Sequence, residues 1–294
     1  MTTAGPTDAP DATRRRRRAA VWTWLAAGVV VALVGTLVLV KVAQSGSLPR
    51  TTTSQTATSP TVLRQLTSIP SSVFDTVGVT SSAVPITSPH AVDGLRHLDF
   101  TSASGRRLPG VLFIGTEFCS FCAAERWALI AALSRFGKFE GLYDMDSSSL
   151  DFAPSTPSFT FNGVAYRSDY VVFRGYEVRS DVQTTEGYAR LMVLPARLRA
   201  LERSLSGGEG YPFVDIANVV VASQAAFSPL ALSGLSRDEI ATALSHPANP
   251  ITKAIVASAN YLTASICAAD GQQPPEVCTS AGVTGADGVL GLAR

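Results

Sequence analysis

The longest apolar run in the chain, Val21–Val40, carries no charge over twenty residues, and only Trp22, Thr23, Trp24 and Thr36 in it are neither aliphatic nor small. At about 1.5 Å per residue it reaches roughly 30 Å, the thickness of a bilayer's hydrocarbon, and so predicts a transmembrane helix over 21–43. A cleaved signal peptide is the alternative. Its apolar core runs to about 15 residues at most and ends at a small-residue cleavage site, which Lys41-Val42-Ala43 matches poorly. Five arginines, Arg14–Arg18, precede the run. The positive-inside rule keeps residues 1–20 in the cytoplasm and places everything after Lys41 outside. The chain is thus expected in the cell membrane as a single-pass protein.

Residues 44–60 are rich in Ser and Thr with almost no apolar content, which predicts a flexible linker. Residues 61–294 then form the extracytoplasmic domain. A short helix is expected over Ser71–Val77, ending at Gly78. After a turn signal at Pro109-Gly110, the short apolar run Val111–Gly115 predicts a buried strand. From Cys122 to Phe136, Trp127, Ile130, Leu133 and Phe136 recur at helical spacing, with Gly137 as the C-terminal cap. A strand over Phe139–Met145 and a hairpin of Phe159–Phe161 with Tyr170–Phe173 should follow. Thr185–Leu205 has helical character, broken at Pro195 and closed by Gly207-Gly208. Pro212–Ile216 and Val219–Ala222 suggest a strand pair. Ser236 and Glu239 are spaced as a capping box for a helix that stops before Pro247. Asn249-Pro250 supplies an N-cap and a first-turn proline for a long helix to Cys267. The order of elements is α/β with a mixed sheet and a helical insertion.

Composition changes this picture little. Charged residues make up 16% of the chain, below the usual quarter, and hydrophobic ones 46%, as suits a membrane span joined to a globular body. The net charge of +1 gives no electrostatic case for nucleic acid.

The cysteines change it more. The chain has four, at 119, 122, 267 and 278, all on the outer side, where disulfides persist. Cys119-Ser120-Phe121-Cys122 sits at the junction of the buried strand and the helix. There the first thiol lies over unsatisfied N–H groups at the positive end of the helix dipole, which lowers its pKa below about 8.5. Cys119 is then the nucleophile and Cys122 the resolving thiol. A zinc site from all four cysteines is disfavoured, because the gap between Cys267 and Cys278 is not that of a knuckle and His90, His97 and His246 show no ligand spacing. No metal and no cofactor is expected. For Cys267 and Cys278, a structural disulfide pinning the tail is favoured over a second redox pair that relays electrons.

Phe113-Ile114-Gly115-Thr116-Glu117-Phe118-Cys119-Ser120-Phe121-Cys122-Ala123-Ala124-Glu125-Arg126-Trp127 carries a resemblance, continued at Thr156–Phe161, Pro212–Asn218 and Ala259–Cys267. The chain resembles the domain-of-unknown-function family 929 over about residues 65–280, membrane-anchored proteins with a thioredoxin-like region. The resemblance implies a thioredoxin-like fold but supplies no substrate. The wider thioredoxin superfamily implies a cis-proline opposite the dithiol, beside which substrate polypeptide bonds to the backbone. Pro212, with Tyr211 before it, suits that role better than Pro157, and Ser120 and Phe121 complete the implied substrate-binding set. The sequence departs from the superfamily in having Ser-Phe between the cysteines and Phe118 in place of the usual Trp. Glu117 and Glu125 are candidate modulators of the Cys119 thiol, but surface or salt-bridged roles are favoured for both, with Arg126 an available partner for Glu125.

These features predict a thiol–disulfide oxidoreductase, oxidase- or isomerase-like, acting on protein thiols and disulfides of the cell envelope, with a membrane thiol oxidase or reductase as redox partner. One alternative is a non-catalytic thioredoxin-like scaffold with structural disulfides; another is a reductant fed with electrons from across the membrane.

Overall fold

The computed structural model describes residues 55–79, 83–208 and 210–292. The span expected over 21–43 lies outside them, as do residues 44–54 of the linker. Among the described residues no helix is long and apolar enough to cross a membrane. Order begins before the expected linker ends, with strand β1 (Thr56–Ala57), and Ser59 caps helix α1 (Pro60–Thr67) by accepting from Val62 N. Thr58 is buried and its N–H donates to Leu142 O. Helix α2 is Ser71–Val77, as its pattern suggested.

Strands β2 (His90–Ala91), β3 (Asp99–Thr101) and β4 (Arg107–Gly115) follow. Pro109-Gly110 is no turn: Pro109 lies within β4, paired with Asp99. Successive residues of β4 face opposite sides. Val111 and Phe113 enter one apolar cluster and Leu112 and Ile114 another, and all four are fully buried. A strand covered on both faces reads as an unbroken hydrophobic run, which is why this one was legible. Helix α3 (Ser120–Leu133) is buried on nearly every side, with Phe121 its one partly exposed residue.

The segment after α3 corrects the sequence reading most. Gly137 does not cap the helix; it opens β5 (Gly137–Glu140), where any Cβ would collide with Arg167 O of the neighbouring strand. The expected strand over Phe139–Met145 is two, β5 and β6 (Tyr143–Asp146). The expected hairpin does not form. Strand β7 (Pro157–Thr160) pairs with β6, β8 (Ala165–Ser168) pairs with β5, and β9 (Val172–Glu177) runs parallel to β4. The start of the expected 185–205 helix is instead a two-stranded ribbon, β10 (Arg179–Thr184) with β11 (Gly187–Arg190). Helix starts only past Pro195, as α4 (Ala196–Ser206), closed by Gly207 in the left-handed conformation. The insertion is therefore mostly β, with one helix.

Strand β12 (Phe213–Ile216) pairs antiparallel with β4 and with β13 (Val220–Ala222), and β13 pairs with β2. The sheet is mixed, with β4 at its centre between β9 and β12. Helix α5 (Arg237–Ala243) carries the expected capping box, and α6 (Pro250–Asp270) begins at the Asn249 cap. Helices α3 and α6 pack together over the Val111/Phe113 face, while Leu194, just before α4, and Leu198 in its first turn cover the Leu112/Ile114 face. The chain is α/β, as expected.

Two short helices, α7 (Pro275–Cys278) and α8 (Ala281–Leu290), end the described chain. Cys267 and Cys278 are both buried and disulfide-bonded, as expected, which ties the end of α6 to α7. The bridge closes a loop of sequence separation 11, for which loop entropy alone contributes about 3 kcal/mol. Replacing both cysteines with alanine should lower the urea unfolding free energy by roughly 2–4 kcal/mol while leaving the far-ultraviolet circular dichroism intact. An unchanged midpoint would show that the bridge contributes no stability.

Candidate functional site

Residues 116–119 form a tight turn from the end of β4 into α3, in which Cys119 N donates to Thr116 O at 3.4 Å. Cys119 is the N-cap of α3, and its Sγ accepts from Cys122 N at 3.3 Å. Ser120 N donates to the Asp151 carboxylate at 2.5 Å, which satisfies a further helix-terminal N–H. Both Cys119 and Cys122 are free thiols, the first partly exposed and the second fully buried. Cys122 Sγ lies against the end of β4, where a Cβ on Gly115 would stand 3.1 Å from it. Glycine at 115 makes room first for the Phe113 ring, 2.5 Å from such a Cβ, and also for the sulfur.

The two thiols differ electrostatically. Hydrogen bonding from Cys122, side chain and backbone N–H together, holds the Cys119 thiol below its ordinary range, against burial and the nearby Asp151 carboxylate. Burial pushes the Cys122 thiol well up, reinforced by its bond with Cys119. One reactive sulfur thus faces outward while its neighbour keeps its proton, the asymmetry that nucleophilic attack followed by resolution requires.

Pro212 is brought to this end of the sheet by register, since Phe213 pairs with Ile114. Tyr211 O lies 3.9 Å from Cys119 Sγ. The cis peptide bonds among the described residues are Tyr211–Pro212 and Gln273–Pro274. Pro157, the competing candidate, instead starts β7, and its carbonyl accepts from Trp127 Nε1 at 2.8 Å. Phe121 and Tyr211 are partly exposed beside the dithiol, but Ser120 does not join them. It is fully buried, and its hydroxyl accepts from Ala153 N at 3.4 Å, so it holds the 151–153 loop.

Both glutamates correct the surface expectation. Glu117 is buried, accepts from Thr160 Oγ1 at 2.6 Å, and is pushed to about 7, chiefly by burial. Glu125 is buried without an ion pair; one carboxylate oxygen accepts from Ala226 N at 2.9 Å, and burial raises it to about 7. Arg126 is not its partner but binds Glu177 through two bonds, at 2.9 and 2.7 Å, with both side chains fully buried. Neighbours in a helix point about 100° apart, so residues 125 and 126 face different surroundings.

Sequence reading missed Glu177, Asp151, Phe152 and Tyr188. Phe152 stacks on Phe121 at 5.3 Å, and Tyr188 on Phe118 at 3.9 Å. Charges at 125 and 126 in an otherwise apolar helix were a signal of buried charge, though not of its partner. Among the described residues no cluster of His, Cys, Asp or Glu could hold a metal ion.

These features define an α/β protein whose free dithiol caps a buried helix beside a buried ion pair. Residues 97–191 match the family described as Domain of unknown function (DUF929). The match takes in the dithiol, α3 and Glu177 and stops before Pro212. No curated protein and no solved structure matches the chain.

Glu125 yields a signed pH dependence. Its carboxyl binds the proton more tightly folded, at about 7, than at its ordinary 4.5. Its contribution is therefore full below about pH 4.5 and is lost as pH rises through 7, roughly 3 kcal/mol at most. In urea titrations from pH 5 to 8, the midpoint of the wild type should fall relative to that of Glu125→Gln. Parallel profiles would contradict this.

Proposed function

We propose that the protein is a thiol–disulfide oxidoreductase of thioredoxin-like architecture that acts on polypeptide thiols and disulfides outside the membrane, to which the 21–43 helix anchors it. The observation that carries this reading is Cys119 Sγ. It sits at the N-terminus of a buried helix, accepts from Cys122 N, and faces the backbone of Tyr211-Pro212. The order strand, dithiol, helix, then an antiparallel strand pair behind a proline and a closing helix supports the thioredoxin-like reading.

The exchange balances without a cofactor. The Cys119 thiolate attacks a substrate disulfide, forming a Cys119–substrate bond and releasing the other substrate sulfur as a thiolate that takes up a proton. Cys122 then loses its proton to solvent and attacks the Cys119 sulfur. This closes the Cys119–Cys122 disulfide and expels the second substrate thiolate, so two electrons pass to the substrate. In reverse, the protein's disulfide oxidises a substrate dithiol. Stabilising the Cys119 thiolate favours the reduced protein, and so makes the disulfide form the better oxidant. A membrane thiol oxidase of matching chemistry would recharge it.

The surroundings suit a polypeptide. Phe121, Leu150, Phe152 and Tyr211, four of the eight large apolar side chains exposed among the described residues, lie on the first turn of α3 and on the loops around Cys119. Apolar surface gathered beside a reactive group marks a contact face.

The test is catalysis of refolding of a scrambled disulfide protein, with insulin reduction alongside. Cys119→Ser should abolish both activities, and Cys122→Ser should accumulate mixed disulfides through Cys119 that wild type resolves. Unchanged activity in Cys119→Ser would sink the proposal. A wild-type Cys119–Cys122 disulfide that resists mild reductant, with a potential below about −300 mV, would identify a scaffold instead.

A further inference from the structure

Arg126 is fully buried, yet its charge is neutralised from one side only. Nε and Nη2 bind Glu177, Nη2 also donates to Thr116 O at 2.8 Å, and Nη1 has no hydrogen-bond partner. Glu177 in turn shares its Oε1 with Phe161 N at 3.3 Å, so part of its charge is met elsewhere. The other carboxyl nearby is Glu117, which at about 7 is partly protonated at neutral pH and adds less than a full negative charge.

The guanidinium is aimed at the dithiol. Thr116 O accepts from both Arg126 and Cys119 N, so the cation sits beneath the turn that carries the first cysteine. Cys122 lies four residues before Arg126, on the same helical face, and long helical side chains lean toward the N-terminus. Cys122 Sγ packs at Gly115, the residue next to Thr116. Phe113 closes the space, with the guanidinium 5.5 Å over its ring.

Resting on the dithiol reading above, we infer that Arg126 is a positioning residue for the second half of the exchange: its guanidinium is the fixed counter-charge for the Cys122 thiolate as Cys122 attacks the mixed disulfide. The resolving sulfur is fully buried and must carry a full negative charge before it can attack. In a water-excluded site that charge needs pre-placed partners, and the backbone at Thr116 and the Arg126 cation both favour it. With Ser-Phe between the cysteines, no intervening histidine supplies a cation. Arg126 does so without moving, because Glu177 and Thr116 O clamp it from behind. The negative charge forms on Cys122 Sγ beside Arg126 and leaves on the departing substrate sulfur.

The experiment follows the reaction of the full chain with glutathione disulfide, quenching by acid and alkylation so that formation and resolution of the Cys119–glutathione adduct are timed separately against pH. Arg126→Met with Glu177→Gln removes both charges and leaves no buried ion unpaired. It should slow adduct formation only slightly, since Arg126 is the least of the influences on Cys119, but slow resolution about tenfold or more, with the resolution profile displaced to higher pH. Arg126→Lys should recover most of the rate. Glu177→Gln alone keeps the cation and lifts its screening at a cost in stability, so, measured on protein shown by circular dichroism to be folded, it should resolve faster than wild type. Resolution at the wild-type rate and pH profile in the double variant, or no acceleration in Glu177→Gln, overturns the inference. If wild type forms no adduct at Cys119, the dithiol reading itself fails.

Discussion

Strand β4 is hydrogen-bonded along both edges and buried on both faces, and the positions of the other site residues follow from that confinement. Its parallel neighbour β9 pairs Glu177 with Gly115, and its antiparallel neighbour β12 pairs Phe213 with Ile114. A carboxylate from one edge and a proline turn from the other therefore reach the same end of the sheet, where β4 itself releases the chain into the Cys119 turn. A one-residue slip in either pairing would send every side chain of that strand to the opposite face. Here that would expel Val214 and Ile216 from one core and Phe213 from the other. Packing in the two cores, rather than any contact at the dithiol, holds the site's parts together.

That arrangement places ionisable groups where water cannot reach them. Glu117, Glu125, Arg126, Glu177 and Asp215 are all buried, and only the Arg126–Glu177 pair is mutually neutralised. Burial raises Asp215, in β12, to about 6. A buried ion pair rarely adds net stability over apolar residues of the same shape, and an uncompensated carboxyl subtracts from it. Such groups are most readily understood by what they do: Glu125 holds the loop at Ala226, and Arg126 faces the dithiol. Perturbed groups near a reactive pair are the usual sign of a working site.

What was legible in the sequence was what local physics decides. The Val111–Gly115 run, the Ser236–Glu239 capping box, the Asn249-Pro250 start of α6 and the spacing of Cys267 and Cys278 each encode their outcome within a few residues. The stretch from Gly137 to Arg190 did not. Its strands are mostly four to six residues long and pair across the insertion, β5 with β8 and β9 with β4, so no local pattern names the partner. Glu125 and Arg126 show the same limit at the site. Adjacent opposite charges looked like a pair, but the helix turns them apart, and Glu177 waits 51 residues downstream.

The Ser-Phe dipeptide between the cysteines separates into two functions once each side chain is placed. Ser120 turns inward: its N–H holds the Asp151 carboxylate and its hydroxyl holds Ala153 N. Phe121 turns outward and stacks on Phe152 of the same loop. The dipeptide thus fastens the 151–153 loop to the helix start, and that loop carries a carboxylate, Asp151, that opposes the Cys119 thiolate. Two charges of opposite sign then act on the dithiol from opposite ends of the first helical turns, Asp151 at the cap and Arg126 below it. The acid works against the attacking thiolate, and the guanidinium favours the thiolate of either cysteine. Hydrogen bonding within the pair and burial decide how strongly each sulfur holds its proton, and these two charges adjust it.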